Sequence, residues 1–161
     1  MKTLLATLAL ASQLAFSGDL PDLGPLPDFS FTNSQGASIG KKDLLGKVWV
    51  ADFIFTSCGG QCPILSAKMQ EVQKAFLPHP SLKLVSFSVD PKRDTPAVLA
   101  KYAKTFKASN DWIFLTGKKG EIDSLMTKGF HLAGGGGEEI MHSFRFVLVD
   151  KEGRLRGYYA V

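Results

Sequence analysis

The chain has 161 residues, of which 45% are hydrophobic and 21% charged, and its formal net charge is +4. This length and hydrophobic content are sufficient for one globular domain with a real core. The lysines are scattered, and no basic stripe with interleaved aromatic residues is present, which argues against a nucleic-acid-binding protein.

The first seventeen residues have the pattern of a secretory signal. Lys2 provides a positive charge, Leu4 to Phe16 is apolar, and Ala15-Phe16-Ser17 resembles a small-x-small cleavage site. The apolar stretch is short against the ~20 residues needed to cross a bilayer. We therefore expect residues 1–17 to be a signal peptide, and export to the periplasm. The mature protein would be soluble, or tethered to the inner membrane if the signal is not cleaved.

The domain, residues 18–161, is expected to begin with an extended arm that is rich in proline and glycine. Phe29 to Thr32 alternates like a strand, residues 33–36 have turn chemistry, and Ala37 to Ile39 would return beside the first strand. An N-terminal β-hairpin is therefore predicted. A short helical turn over Lys41 to Leu45 would follow, ended by Gly46.

An almost unbroken apolar run, Val48 to Phe55, predicts a buried central strand. It leads into a C-x-x-x-C segment with the chain's only two cysteines, Cys58 and Cys62. Pro63 suits the first turn of a helix, and apolar residues recur at helical spacing as far as about Phe76.

The rest of the chain alternates between strand and helix patterns and closes with a hairpin. The predicted segments are Leu82 to Val89, Trp112 to Leu115, Ser143 to Val149 and Leu155 to Tyr159 as strands, and Pro96 to Phe106 and Glu121 to Lys128 as helices. This order predicts an α/β fold with a central mixed sheet flanked by helices.

The two cysteines are placed where a strand gives way to a helix. Unpaired backbone N–H groups and the helix dipole favour a thiolate at this junction. Thiols at positions i and i+4 can meet as a disulfide or close on a soft metal ion. A purely structural disulfide is the simpler alternative, although it would close a very small loop and constrain the unfolded chain little.

Position alone does not assign a metal-binding role to any of the three histidines. His79 lies between two prolines in a loop, and His131 is expected to be a surface or packing residue. His142 follows the glycine-containing loop of residues 133–137, which could bring it to the cysteines. An ordinary histidine at the start of a strand is the favoured interpretation from position only.

Two aspartates lie near the predicted cysteine end of the sheet. Asp52 is inside the apolar strand, where it could accept a proton near the thiols, but strand alternation favours a polar edge for it. Asp90 follows the second strand, and its default role is to cap the next turn.

Four segments, taken in order, resemble the Sco (synthesis of cytochrome c oxidase, also SenC) family. They are Lys47 to Pro63, Ser88 to Pro96 (S-V-D-P-K-R-D-T-P), Trp112 to Gly117 (W-I-F-L-T-G), and His142-Ser143 followed by Leu148-Val149-Asp150. The likeness extends over about residues 18–159, and the four segments together are far more specific than a lone C-x-x-x-C.

The resemblance implies a thioredoxin-like fold and an exported copper metallochaperone for cytochrome c oxidase assembly. It implies Cys58, Cys62 and His142 as copper ligands and Asp90 as a residue near the site. Thiolates suit Cu(I), and an added imidazole makes a site that also accepts Cu(II). The implied partner is the copper-site subunit of an oxidase, with other periplasmic copper carriers or thiol reductases as further candidates.

Two departures from the family pattern accompany this resemblance. The segment between the cysteines, Gly59-Gly60-Gln61, lacks the family's proline and acidic residue, and the usual helix after the last hairpin is not expected before Val161. The alternative function is a thiol–disulfide oxidoreductase that uses Cys58 and Cys62 as its redox pair without His142. Against it, thioredoxin-type catalysts use C-x-x-C rather than C-x-x-x-C.

Overall fold

The structure is a computed structural model, and it describes residues 19–132 and 144–161. In chain order its elements are β1 Ser30–Asn33, β2 Ser38–Gly40, α1 Lys41–Leu44, β3 Val48–Ile54, α2 Gln61–Phe76, β4 Leu82–Ser88, α3 Pro96–Thr105, β5 Trp112–Thr116, α4 Lys119–Ser124, β6 Arg145–Val149 and β7 Leu155–Ala160. A π-helical turn, Leu125–Gly129, continues α4. The expected signal segment, the loop of residues 133–137 and His142 lie outside the described residues.

In the described ranges the strands form one seven-stranded sheet with the order β2-β1-β5-β4-β3-β6-β7. Strands β3, β4 and β5 are parallel, and the two hairpins, β1–β2 and β6–β7, extend the sheet with antiparallel pairings. The predicted α/β fold with a mixed sheet and an N-terminal hairpin is therefore confirmed. The parallel centre places the ends of β3 and β4 side by side.

Central strand β3 divides the hydrophobic core between the two faces of the sheet. Trp49 and Phe53 pack in a cluster that includes residues of α1 and α4, whereas Ile54 packs with Leu65 of α2 and Leu99 of α3. This follows from strand geometry, because successive side chains point to opposite faces. Helix α2, which carries the cysteine segment, is thus held on the Ile54 face.

The N-terminal arm packs against the last hairpin. The Leu23 N–H donates to the Leu155 carbonyl at 2.9 Å, and Arg154 Nη2 lies 2.8 Å from Asp22 Oδ2. The segment is extended, as expected, with a single bridge between Pro25 and Arg154. Within residues 19–132 and 144–161, no helix has the length and apolar character needed to cross a membrane.

Candidate metal centre

The cysteine segment lies at the carboxyl end of the parallel strands. Strand β3 ends at Ile54, Cys58 lies in the following loop, and α2 begins at Gln61, so that Cys62 is in its first turn. Ligands of open α/β sheets bind at this edge, because loops from adjacent parallel strands meet there. The strand-to-helix junction predicted for the cysteines is confirmed.

Both cysteines are free thiols, and they contact each other. The backbone N–H of Cys62 points at Cys58 Sγ over 3.4 Å, and the Cys62 thiol also hydrogen-bonds to Cys58. The first turn of α2 thus places Cys62 beside the Cys58 sulfur. Such a pair can bind a soft metal ion as thiolates or close as a disulfide.

The two thiols differ in accessibility and acidity. Burial of Cys62, which is completely inaccessible, raises its pKa to about 12, and a hydrogen bond from the Phe55 backbone opposes this only in part. Burial also acts on Cys58, but hydrogen bonds outweigh it and lower the pKa of that half-buried thiol. They come from the Cys62 thiol and from the backbone of Cys62, Gly60 and Gln61. Cys58 is therefore the more accessible and the more acidic thiol of the pair.

Asp52 does not lie at a polar edge, so that expectation was wrong. Its side chain is fully buried, and neither carboxylate oxygen has a hydrogen-bond partner among the described residues. Burial raises the pKa of Asp52 to about 7. The nearby Ser86 hydroxyl acts in the opposite direction on this pKa, although it makes no hydrogen bond to either Asp52 oxygen, and it accepts one from Trp112 Nε1 at 2.9 Å. The alternation of β3 turns Asp52 toward the α2 face, not to solvent.

The sequence predicts the cap of α3 at either Asp94 or Thr95, and no local pattern indicates the contacts that Asp94 makes at this edge of the sheet. Thr95 is the cap of α3, because its hydroxyl accepts from the Val98 N–H at 3.4 Å. Asp94 is fully buried and accepts hydrogen bonds from the Thr56 N–H at 3.0 Å, the Thr56 hydroxyl at 2.5 Å and the Ser88 hydroxyl at 2.6 Å. It thereby ties the loop after β4 to the residue two positions before Cys58.

Asp90 lies at the same edge of the sheet and begins the turn after β4, where its carbonyl accepts from the N–H groups of Arg93 at 3.0 Å and Asp94 at 2.9 Å. Its carboxylate pairs with Arg93, Oδ2 to Nη1 at 2.9 Å, and its N–H donates to the Ser88 hydroxyl at 3.1 Å. It is largely buried, with 7% exposure. The structure places it in the loop that Asp94 connects to the cysteine segment.

The described histidines do not join the cysteines. His79 precedes β4, at the opposite edge of the sheet, and its Nδ1 accepts from the Ser81 N–H at 3.2 Å. His131 is exposed, as predicted. Among residues 19–132 and 144–161, no three His, Cys, Asp or Glu side chains form a metal-binding group.

The cysteine end of the sheet is flanked by a modest cleft of about 310 Å³, lined by Gln61, Ile64, Leu65, Phe144 and Val161. A larger cleft of about 560 Å³ lies elsewhere, between the N-terminal arm and the α4 region, and includes Asp28 and Lys128. Cavity size therefore does not identify the site. The paired thiols do.

Comparison with known proteins agrees with these features. The sequence profile of the family described as SCO1/SenC matches residues 24–161, which include the whole sheet and both cysteines. The chain belongs to the SCO1/SenC family. The predicted family is therefore confirmed.

Individual SCO1/SenC relatives are similar over most of the chain. The SCO1 protein homolog of Bacillus subtilis is 37% identical over 140 residues, 83% of this chain and 72% of the relative. The structure of BsSco, described as a Sco-family cytochrome c oxidase assembly protein with a disulfide switch, is 34% identical with a TM-score of 0.76, covering 87% of this chain and 85% of BsSco. Bradyrhizobium japonicum ScoI, solved with copper bound, is 26% identical with a TM-score of 0.71, covering 83% of this chain and 88% of ScoI. These likenesses confirm the thioredoxin-like fold.

Proposed function

We propose that this protein binds copper as cargo and delivers it to the copper site of a cytochrome c oxidase. The observation that carries the proposal is the contact between two free thiols, Cys58 and Cys62, at the start of α2. Two adjacent sulfur donors fit a soft ion such as Cu(I). The copper-bound ScoI structure and the assembly role stated for BsSco support the same assignment.

A third ligand is needed, because two thiolates leave a copper ion under-coordinated for a site that also accepts Cu(II). We assign this role to His142, as the family resemblance implies. Within residues 19–132 and 144–161, His79 is at the opposite edge of the sheet, and no three His, Cys, Asp or Glu side chains form a metal-binding group, which is compatible with this assignment.

The accessibility of the two thiols suits transfer of the ion. Cys58 is half-buried and can be reached by a partner's ligand, whereas Cys62 is enclosed and holds its position. An incoming ligand would displace Cys58 first, since exchange needs access to the metal–sulfur bond. The partner we propose is the copper-site subunit of the oxidase. Asp90 would affect the site indirectly, because it lies in the loop that Asp94 connects to the cysteine segment.

A thiol–disulfide oxidoreductase is the second candidate, and a specific observation favours it. The accessible Cys58 thiol has a lowered pKa while its neighbour Cys62 has a raised one, which is the arrangement of an attacking and a resolving thiol. In this function the pair would keep copper-ligand cysteines of the target reduced. The disulfide switch described for BsSco supports this possibility for a relative.

A copper titration distinguishes the two functions. Reduced wild type should bind one Cu(I) in competition with a chelating probe, and Cys58→Ser, Cys62→Ser and His142→Ala should each weaken binding by about ten-fold or more. His131→Ala, which removes an exposed histidine, serves as the matched control and should bind like wild type. If His142→Ala binds Cu(I) and Cu(II) as tightly as wild type while disulfide reductase turnover persists, the oxidoreductase function replaces the chaperone.

We further propose that the protein is exported and acts in the periplasm, on the strength of the signal pattern in residues 1–17. N-terminal sequencing of the protein from its native host should find a start near Gly18. An intact Met1 in the membrane fraction would instead show an uncleaved tether.

A further inference from the structure

Unlike Asp52, whose carboxylate oxygens have no hydrogen-bond partner among the described residues, Asp94 is a buried carboxylate near the cysteines that has such partners. Its carboxylate is completely inaccessible and accepts three hydrogen bonds, two of them from Thr56 and one from Ser88. Arg93, its neighbour in sequence, pairs with Asp90 instead. The Asp94 side chain thus accepts hydrogen bonds from a residue that follows β3 and from the last residue of β4.

These bonds join two loops that are distant in sequence. Thr56 and Asp94 are separated by 38 positions, and they meet because β3 and β4 are parallel neighbours. Thr56 lies two residues before Cys58, whose own N–H donates to the Phe55 carbonyl at 3.3 Å. The residues from Phe55 to Cys58 therefore form one short turn with a charged anchor in its middle.

The other end of the turn contains two glycines, and the backbone of Gly60, Gln61 and Cys62 holds it through hydrogen bonds to the Cys58 sulfur. Gly60, the residue before α2, makes no side-chain cap, and Gly59 and Gly60 have open space where a side chain would be. The position of Cys58 relative to Cys62 depends also on the Thr56 side of the turn, because glycine restricts the backbone least.

We propose that Asp94 is a positioning residue for the copper site, which holds Cys58 in place through its two hydrogen bonds to Thr56. This inference rests on the proposed copper-binding function. It means that the loop after β4 helps to fix the position of Cys58 relative to Cys62. Hydrogen bonds to a buried carboxylate are the stronger kind, so their loss should be measurable.

The test compares two substitutions of Thr56. Thr56→Val keeps the branched shape and the backbone N–H but removes the hydroxyl, whereas Thr56→Ser keeps the hydroxyl. We expect Thr56→Val and Asp94→Asn to weaken Cu(I) binding by about ten-fold, and Thr56→Ser to retain it. Ser66→Ala removes a different side-chain hydrogen bond of α2, to the Tyr102 hydroxyl at 2.8 Å, and controls for a general loss of stability.

A double-mutant cycle makes the inference specific. Thr56→Val and Asp94→Asn both disturb the hydrogen bond between the Thr56 hydroxyl and Asp94, so the double variant should lose less affinity than the sum of the two single losses. Additive losses, or wild-type affinity in folded Thr56→Val, would overturn the proposal. If Asp94→Asn fails to fold, the Thr56 pair alone decides.

A copper-free measurement separates this inference from the proposed function. In the reduced apoprotein, alkylation of Cys58 by iodoacetamide at fixed pH should be several-fold slower in Thr56→Val than in Thr56→Ser, since the Cys58 sulfur is no longer held against the N–H groups of Gly60, Gln61 and Cys62. Failure of wild type to bind copper would reject the proposed function without affecting this comparison. Equal alkylation rates would reject the positioning role even if copper binds.

Discussion

The Cys62 backbone N–H lies 3.4 Å from Cys58 Sγ, so the first turn of α2 contains one cysteine and donates a hydrogen bond to the sulfur of the other. An N–H group that has no partner inside the helix is used to stabilise the sulfur four residues earlier. The same geometry lowers the pKa of Cys58 and leaves Cys62 in the core, where burial raises its pKa to about 12.

The first prediction concerns the reactivity of these thiols. In the folded, reduced protein, iodoacetamide should modify Cys58 at least about a hundred-fold faster than Cys62 at neutral pH, because thiolate is the reactive form and Cys62 is inaccessible. Mass spectrometry of timed samples measures both rates. Folded Cys58→Ser should stay almost unmodified and should react once unfolded in urea; similar rates for both cysteines in the folded protein would contradict the prediction.

The second prediction concerns Asp52 and pH. Its pKa is 3.8 in the unfolded chain and about 7 in the folded protein, so the folded state binds the proton more tightly. The Asp52 contribution to stability is therefore fully present below about pH 4 and is lost as pH rises through about 7. The free energy of unfolding that is lost by this pH rise is at most roughly 4 kcal/mol, at 1.36 kcal/mol for each unit of difference between the two pKa values.

Asp52→Asn removes this charge and should raise the free energy of unfolding above pH 7 by about 1–3 kcal/mol, since the buried amide still lacks a partner and offsets part of the gain. Urea unfolding of wild type and variant across the pH range measures the difference, which should disappear near pH 4. Asp22→Asn is the control, because the exposed Asp22 pairs with Arg154 and its pKa is lowered instead. A pH-independent difference for Asp52→Asn would show that its carboxylate is not buried in solution.

The third prediction uses two glycines with opposite surroundings. A Cβ at Gly59 meets no described atom within 4 Å, and the residue has no left-handed backbone, so Gly59→Ala should stabilise the protein by about 0.4–1 kcal/mol by restricting the unfolded chain. A Cβ at Gly117 would stand 2.5 Å from the Phe31 ring, so Gly117→Ala should destabilise by roughly 1–3 kcal/mol. Thermal unfolding of both variants gives the two signs, and equal effects would contradict the packing described here.

The fourth prediction concerns the aromatic core under the cysteine strand. The Phe87 ring is inaccessible and stacks on Phe53 at 5.2 Å, with Phe130 at 5.7 Å and Trp49 at 6.3 Å. Phe87→Ala should lower the free energy of unfolding by about 3–5 kcal/mol, because a cavity remains where the ring was. Phe76→Ala, which removes an exposed ring at the end of α2, should cost far less by the same urea measurement. Comparable losses would contradict the assignment of Phe87 to the core.

Local sequence signals were sufficient for the elements and for the thiol pair. The apolar run before Cys58 predicted β3, the helical spacing after Pro63 predicted α2, and Pro96 was predicted as the start of α3. These features depend on neighbouring residues only, since strand and helix periods and helix caps are set within a few positions. The i, i+4 spacing likewise determined that the two sulfur atoms could meet.

The tertiary structure decided which buried polar groups have partners. Asp52 lies in a strand whose pattern fits either face, and only the packing of α2 on that face made it a buried carboxylate without a described partner. Asp94 reaches Thr56 across 38 positions because β4 lies beside β3 in the sheet. The order of the strands depends on how the whole core packs. The contacts that determine the roles of Asp52 and Asp94 are therefore made by residues far away in the sequence, and a local pattern cannot predict them.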